Sequence, residues 1–123
     1  MYVNGFILAV PADKKDAYRD VAEKFWEVVK DYGAKSQVEC WEVDVPDGET
    51  TDFRRAVKCE EGEKVVFSWV TWEDKETADA SHDKMMADER MKTLFGNPDG
   101  SDMPFDGKRM VYGGFEPLVW KEA

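Results

Sequence analysis

The sequence predicts an α+β fold of the ferredoxin-like type, in which the elements follow in the order βαββαβ. Two observations predict this order. Apolar segments with strand-like alternation are separated by two segments whose apolar residues recur at helical spacing. The 123 residues also fit a single domain, spanning 1–123, that is large enough to bury one core. We therefore expect an antiparallel four-stranded sheet with two helices on one face.

The chain begins with a predicted strand and a long amphipathic helix. The strand runs from Tyr2 to Val10 and stops at Pro11, which has no amide hydrogen for a sheet ladder. The helix is predicted from about Asp13 to Tyr32, and Gly33 suits the left-handed residue that ends it. Its apolar stripe consists of Tyr18, Val21, Ala22, Phe25, Val28, Val29 and Tyr32.

The second strand is predicted from Ser36 to Val45, and the turn-forming residues Pro46-Asp47-Gly48 follow it. Asp52 is suited to cap a short helical turn in which Phe53, Ala56 and Val57 share a face. A strand is the alternative for this segment, because every second residue from Phe53 to Val57 would then point the same way.

The third strand, Lys64 to Trp72, is apolar on both faces, so both faces should be covered. Asp74 is a suitable N-cap for a second helix that runs to about Met91. Residues 92–102 are predicted to form a loop, and the last strand runs from about Lys108 to Trp120. The second helix should turn a row of residues toward the sheet: Ala78, Ser81, His82, Met85 and, at its end, Met86.

Composition excludes several classes of function. The net charge of −10 and the scarcity of basic clusters disfavour binding to nucleic acid or to an anionic membrane. Cys40 and Cys59 lack metal-ligand spacing and are expected to be reduced. The apolar run from Phe6 to Val10 is too short to span a bilayer and lacks the features of a signal peptide. We therefore expect a cytoplasmic protein without a metal site.

Two helices can cover only one face of the predicted sheet, although the strands carry apolar side chains on both. The uncovered residues would include Val66, Val70 and Trp72, or the alternate set if the register is reversed. A contiguous apolar patch of this kind is typical of an interface, so we expect a homodimer that packs sheet against sheet. The alternative is a monomer with scattered, partly exposed aromatic residues.

Several motifs relate the chain to a known family. They are Tyr2-Val3-Asn4-Gly5-Phe6, Val10-Pro11-Ala12-Asp13-Lys14-Lys15, Glu39-Cys40-Trp41, Val45-Pro46-Asp47-Gly48, Thr51-Asp52-Phe53-Arg54-Arg55-Ala56-Val57, Val65-Val66-Phe67-Ser68-Trp69, Met103-Pro104-Phe105-Asp106-Gly107-Lys108-Arg109-Met110 and Tyr112-Gly113-Gly114-Phe115. The chain resembles the YbaA-like proteins, a family of small bacterial proteins of unknown function, over nearly its whole length. The resemblance implies a dimeric α+β barrel. It brings no catalytic residues and no cofactor, and related branches differ in chemistry, so the fold alone does not select a reaction.

Two residues are candidates for catalysis. His82 is the only histidine, and a neutral imidazole facing the sheet would suit a general base near pH 7. Its other interpretation is a half-buried side chain with one hydrogen-bond partner. Glu39 lies on the second strand, where burial would raise its pKa and allow it to accept a proton. Alternatively, Glu39 pairs with Arg54 or Arg55 or points to solvent.

Five residues are candidates for ligand binding: Arg54, Arg55, Trp69, Tyr112 and Arg109. A guanidinium suits a carboxylate, either of a ligand or of this acidic chain itself. Gly113 and Gly114 lack the spacing of a phosphate loop and indicate close packing or space beside Trp69, Tyr112 or a ligand.

These observations favour a homodimer that binds or transforms a small apolar or aromatic metabolite without a cofactor. The alternative is a protein-interaction or scaffold module with a fully packed interior. A weaker third option is heme binding through His82. The sequence does not decide whether the protein is an enzyme.

Overall fold

The computed structural model describes residues 1–95 and 103–123. Four strands, β1 (Tyr2–Pro11), β2 (Ser36–Trp41), β3 (Glu63–Trp72) and β4 (Val111–Phe115), form one antiparallel sheet in the order β2-β3-β1-β4. The two central strands are the longest, and β2 and β4 form the edges. The predicted ferredoxin-like α+β fold is therefore confirmed.

Four helices accompany the sheet in the described residues: α1 (Lys15–Val29), α2 (Phe53–Ala56), α3 (Lys75–Met86) and α4 (Glu89–Leu94). Short 3-10 turns extend α1 at both ends to residues 12–32, and Gly33 ends the segment with φ 107°. The carboxylates of Asp52 and Asp74 accept hydrogen bonds from backbone N–H groups in the first turns of α2 and α3. The helical alternative for the Phe53 segment is therefore the correct one.

The register corrects our first assignment of the uncovered face. Val66, Val70 and Trp72 of β3 point toward the helices and are buried. The alternate set, which includes Val65, Phe67 and Trp69, lies on the opposite face, called the back face here. The core between sheet and helices consists mainly of Leu8, Val10, Tyr18, Ala22, Val28, Val29, Val66, Val70, Trp72, Ala78 and Met85.

Four predicted boundaries are wrong. The strand β2 ends at Trp41 rather than Val45. The strand β4 starts at Val111 rather than about Lys108, because Gly107–Arg109 form a 3-10 turn, and it ends at Phe115, two residues before Pro117, which has no hydrogen-bond donor for the ladder. The second helix stops at Met86, and a separate helix, α4, follows it. Asp88 caps α4, because its side chain accepts a hydrogen bond from the backbone N–H of Arg90. Residues 92–94, predicted as loop, belong to α4, and the predicted loop at 96–102 lies outside the described residues.

The back face differs from the rest of this acidic chain. Its strand positions are Val3, Gly5, Ile7, Ala9, Pro11, Ser36, Val38, Cys40, Glu63, Val65, Phe67, Trp69, Thr71, Val111, Gly113 and Phe115. Among these positions only Glu63, at one end of β3, carries a charged side chain, and that charge is paired with Arg109. Phe67, Val111 and Phe115 are exposed on this face.

None of the helices within residues 1–95 and 103–123 is long and apolar enough to cross a membrane.

Candidate functional site

A cleft of about 810 Å³ opens between α1 and the edge strand β2, and we call it the α1–β2 cleft. Its apolar lining comes from both elements and from the neighbouring strand: Tyr18, Ala22, Trp26, Trp41 and Val66. Polar and charged residues complete the lining: Lys15, Arg19, Glu23, Glu27, Lys35, Ser36, Gln37, Glu39 and Cys40. The cleft therefore combines three aromatic side chains with a larger number of polar and charged ones, and its volume lies within the range of small-molecule sites.

The cleft forms because α1 packs on the central strands and leaves the edge strand partly uncovered. Tyr18 and Ala22 of α1 pack against Leu8 and Val66, which belong to β1 and β3. The strand β2 lies one position further out, and each of its residues remains partly exposed. The ammonium of Lys15 lies 5.3 Å from the centre of the Trp41 ring, so a cation–π contact borders the cleft.

Glu39 is the polar centre of the cleft. Alternation along β2 turns Glu39 toward the helices, together with Gln37 and Trp41. The hydroxyl of Tyr18 donates a hydrogen bond to Oε1 of Glu39. Nε2 of Gln37 donates to Oε2 of Glu39 at 3.1 Å and to the carbonyl oxygen of Ala22 at 3.1 Å. The carboxylate is thus held between the helix and the strand.

Burial dominates the electrostatics of this cluster. It raises the pKa of Glu39 above the ordinary value near 4.5, and hydrogen bonds from Tyr18, Gln37 and Ser68 oppose that rise only in part. The pKa of Tyr18 is also raised, first by burial and then by the charge of Glu39. A carboxylate with a raised pKa beside an apolar cavity can accept a hydrogen bond or a proton from a bound molecule. The raised pKa agrees with the first of the two interpretations of Glu39, and its part in catalysis stays a prediction.

His82 does not face the sheet, contrary to the sequence-based expectation. Its side chain is exposed on α3, and Met86 is 63% exposed on the same helix. The buried face of α3 is formed instead by Ala78, Ser81 and Met85. Because successive helical residues are rotated by about 100°, the burial of Ser81 turns its neighbour His82 toward solvent.

The arginine candidates lie outside the cleft lining and pair with groups of the chain itself. Arg54 forms an ion pair with Glu42. Arg55 pairs with Asp52 at 3.0 Å and donates to the backbone carbonyl groups of residues 48–50. Both arginines therefore stabilise the segment that contains α2. This agrees with the alternative in which the guanidinium groups pair with carboxylates of the chain itself.

Arg109 forms a two-pronged ion pair with Glu63, with nitrogen–oxygen distances of 2.7 and 2.8 Å. It also donates to the carbonyl oxygen of Lys58 at 2.9 Å and to Asp106 at 3.2 Å. These contacts join the turn before β4 to the start of β3. Arg109 is thus committed to an internal network and lies outside the cleft lining.

The two aromatic candidates are also remote from the cleft. Trp69 lies on the back face with its ring centre 5.4 Å from that of Phe67. Tyr112 is 71% exposed on the edge strand β4. Beside it, a Cβ on Gly114 would collide with the Tyr2 ring, and one on Gly113 would lie 3.3 Å from the Phe115 ring. The two glycines therefore allow close packing against Tyr2 and Phe115, rather than leaving space beside Trp69, Tyr112 or a ligand.

Sequence reasoning missed the contribution of α1 to the cleft. The sequence predicts Tyr18 in the apolar stripe of the core and Trp26 beside that stripe as cover for a seam, and it names neither as a ligand-binding residue. The available signal was the alternation of Gln37, Glu39 and Trp41 on one face of β2, which places polar and aromatic groups together. Within residues 1–95 and 103–123, no three His, Cys, Asp or Glu side chains are grouped so that they could hold a metal ion.

Comparison with known proteins gives a family and a fold. Residues 1–107 match the family described as "Protein of unknown function (DUF1428)". The uncharacterized protein YbaA of Escherichia coli strain K12 is 58% identical over 118 residues, covering 96% of this chain and 97% of that protein. The same match is found for YbaA of Shigella flexneri.

Two solved structures resemble the fold at low sequence identity. Protein Atu4242 from Agrobacterium tumefaciens has a TM-score of 0.58 and 12% identity, covering 96% of this chain and 94% of that one. An uncharacterized NIPSNAP domain protein from Burkholderia xenovorans has a TM-score of 0.56 and 12% identity, with both chains fully covered. At these identities the likeness extends to the fold alone.

Proposed function

The chain belongs to the DUF1428 family of proteins of unknown function, and from its own geometry we propose that it is a homodimer that binds a small apolar or aromatic molecule in the α1–β2 cleft. The observation that carries the proposal is the cleft itself, with its aromatic walls and the half-buried Glu39. Its volume of about 810 Å³ suits a small metabolite. The proposed binding requires no cofactor.

The composition of the cleft favours an apolar ligand over a strongly charged one. Tyr18, Trp26 and Trp41 offer ring surfaces on which a planar molecule can stack. The basic and acidic side chains of the lining are balanced, at three of each, so the cleft has no strong preference for a highly charged molecule. An unfilled cleft of this size also favours ligand binding over the alternative of a scaffold module with a fully packed interior.

The mostly apolar back face supports the homodimer. In a chain of net charge −10, a sheet face whose one charged residue, Glu63, is neutralised by Arg109 and whose Phe67 and Phe115 are exposed is unusual. Phe53 of α2 extends this apolar surface, because its ring packs edge-on against Phe67 at 6.1 Å. A second copy is the occupant we propose, because a two-fold axis would bring two apolar faces together, and the one carboxylate of each face is already neutralised by Arg109.

Sedimentation velocity tests the homodimer with a matched pair of variants. Phe67→Asp places a charge on the back face, whereas Met86→Asp places one on an exposed apolar position of α3. We expect the wild type and Met86→Asp to sediment as dimers and Phe67→Asp to dissociate. A wild-type mass near the 14.1 kDa of one chain at every concentration would contradict the homodimer.

A thermal-shift screen tests the ligand site. Apolar and aromatic metabolites are screened against the wild type, Trp26→Ala and Trp120→Ala, because Trp26 lines the cleft and Trp120 lies in the exposed C-terminal segment. We expect stabilising compounds to lose their effect in Trp26→Ala and to keep it in Trp120→Ala. Compounds that stabilise both variants equally would bind elsewhere, and the proposed site would be wrong.

A further inference from the structure

We propose that the ligand of the α1–β2 cleft presents an N–H or O–H hydrogen-bond donor, attached to an aromatic or otherwise apolar skeleton, to the carboxylate of Glu39. This inference rests on the proposed function, since it names the chemistry of the molecule that would occupy the same cleft. It follows from counting the donors and acceptors that surround Glu39.

The protein's own donors beside Glu39 are already used. The one hydroxyl hydrogen of Tyr18 is directed to Oε1 of Glu39. The two amide hydrogens of Gln37 go to Oε2 of Glu39 and to the carbonyl oxygen of Ala22. A ligand that offers only acceptors would therefore find no free donor in this cluster.

Acceptor capacity, by contrast, remains. A carboxylate offers about four lone-pair positions, and hydrogen bonds from Tyr18, Gln37 and Ser68 occupy at most three of them. Oε1 of Gln37 is a second acceptor, buried and without a hydrogen-bond partner among residues 1–95 and 103–123. The polar centre of the cleft thus lacks a donor, and an N–H or O–H group of a ligand would supply it.

Charge sets the orientation of the ligand. A carboxylate or phosphate placed against Glu39 would put two anions together in a partly desolvated site. The cations of the cleft are the exposed side chains of Lys15, Arg19 and Lys35. Any anionic group of the ligand would therefore point outward to these cations, while the donor points inward to Glu39.

Isothermal titration calorimetry at pH 7.5 with four naphthalene derivatives tests whether the cleft prefers a ligand with a hydrogen-bond donor. The probe 2-naphthol carries a neutral donor, 2-(aminomethyl)naphthalene a charged donor, 2-methoxynaphthalene only an acceptor, and 2-naphthoate an anion. Each is titrated into the wild type, Glu39→Leu and the matched control Glu23→Leu, whose side chain also lines the cleft. Glu39→Gln, which keeps one acceptor oxygen, serves as a second variant if Glu39→Leu does not fold.

We expect 2-naphthol to bind the wild type and Glu23→Leu about tenfold more tightly than 2-methoxynaphthalene, as a hydrogen bond to a charged group predicts. The ratio should approach one in Glu39→Leu and take an intermediate value in Glu39→Gln. We expect 2-(aminomethyl)naphthalene, which also carries a donor, to bind more tightly than 2-methoxynaphthalene, and 2-naphthoate, which has no donor, to bind more weakly than 2-naphthol.

Two results would overturn the inference. If the wild type binds all four probes with similar affinity, the cleft binds aromatic molecules without selecting those that carry a hydrogen-bond donor. The proposed function would then hold, and this inference would be wrong. If the preference for 2-naphthol survives in Glu39→Leu, another residue supplies the acceptor. Failure of all four probes to bind would overturn the proposed function and this inference together.

Discussion

Removing Arg109 should destabilise the fold by leaving a shielded carboxylate without its partner. The side chain of Glu63 is 9% exposed and that of Arg109 is 18% exposed, so water replaces the lost contacts poorly. Breaking a buried ion pair costs about 3 to 5 kcal/mol. Because this pair lies near the surface and Glu63 keeps the N–H of Glu60 at 2.7 Å, we expect Arg109→Met to lower the free energy of unfolding by about 2 to 3 kcal/mol.

A double-mutant cycle assigns that loss to the pair. Glu63→Gln keeps an acceptor for the Glu60 N–H but removes the charge, so Arg109→Met should cost much less in the Glu63→Gln background. Urea unfolding at one fixed protein concentration measures all four free energies. We expect a coupling energy of about 1.5 kcal/mol or more. A coupling energy below about 1 kcal/mol would refute the reasoning, since exposed ion pairs already reach about that value.

The pH dependence provides a second check on the same pair. Arg109 holds the pKa of Glu63 below its ordinary value near 4.5 in the folded protein. The pair therefore adds stability at pH values above 4.5, and this contribution is lost as the pH falls through the folded pKa. The difference between wild type and Arg109→Met should be full at pH 7 and should shrink in acid.

Two further predictions concern β4 and the cleft. Gly114→Ala should lower the free energy of unfolding by about 1 to 3 kcal/mol, because the added methyl group would collide with the Tyr2 ring. Gly107→Ala is the control, since a Cβ there has no atom within 4 Å and should leave the stability nearly unchanged. Equal losses of stability in urea unfolding would contradict this packing. Glu39 has a raised pKa when folded, so its contribution to stability should fall as pH rises from about 4.5 through that pKa. Glu39→Gln should lack this decline, and parallel stability–pH curves would contradict the assignment.

The element order could be predicted because local signals agreed with the tertiary structure. Asp52 and Asp74 predict the starts of their helices because both are N-cap residues. Gly33 predicts the end of the α1 segment because its φ of 107° is a left-handed value that favours glycine. Pro11 marks the end of β1. Each of these signals acts within a few residues along the chain, so no knowledge of distant contacts is needed to interpret it.

The face of the sheet could not be predicted, because β3 is apolar on both sides. Val66 and Phe67 are equally suited to the core by residue type, and only the packing of α1 and α3 decides that Val66 is buried. His82 was misplaced for a related reason. Helical spacing from Ala78 admits either Ser81 or His82 on the buried side, and the small Ser81 side chain fits against the sheet.

The composition of the cleft was only partly accessible from sequence. Glu39 could be singled out because a carboxylate on a strand of the sheet is unusual if that strand is covered, although the structure leaves β2 at the edge and partly exposed. Its partner Tyr18 lies 21 residues earlier on α1, and an apolar stripe does not reveal which of its members reaches past the core to an edge strand. The internal pairing of Arg54, Arg55 and Arg109 likewise depends on contacts between separate elements.

The indole N–H signals of the five tryptophans test most directly whether the α1–β2 cleft is the ligand site. Trp26 and Trp41 line the cleft, Trp69 lies on the back face, Trp72 donates to Asn4 at 2.8 Å within the core, and Trp120 is exposed. In nitrogen-15 correlation spectra recorded during a titration with 2-naphthol, we predict saturable shifts for Trp26 and Trp41, with the other three signals unmoved. Shifts confined to Trp69 or Trp120, or no shift at millimolar probe, would contradict the account.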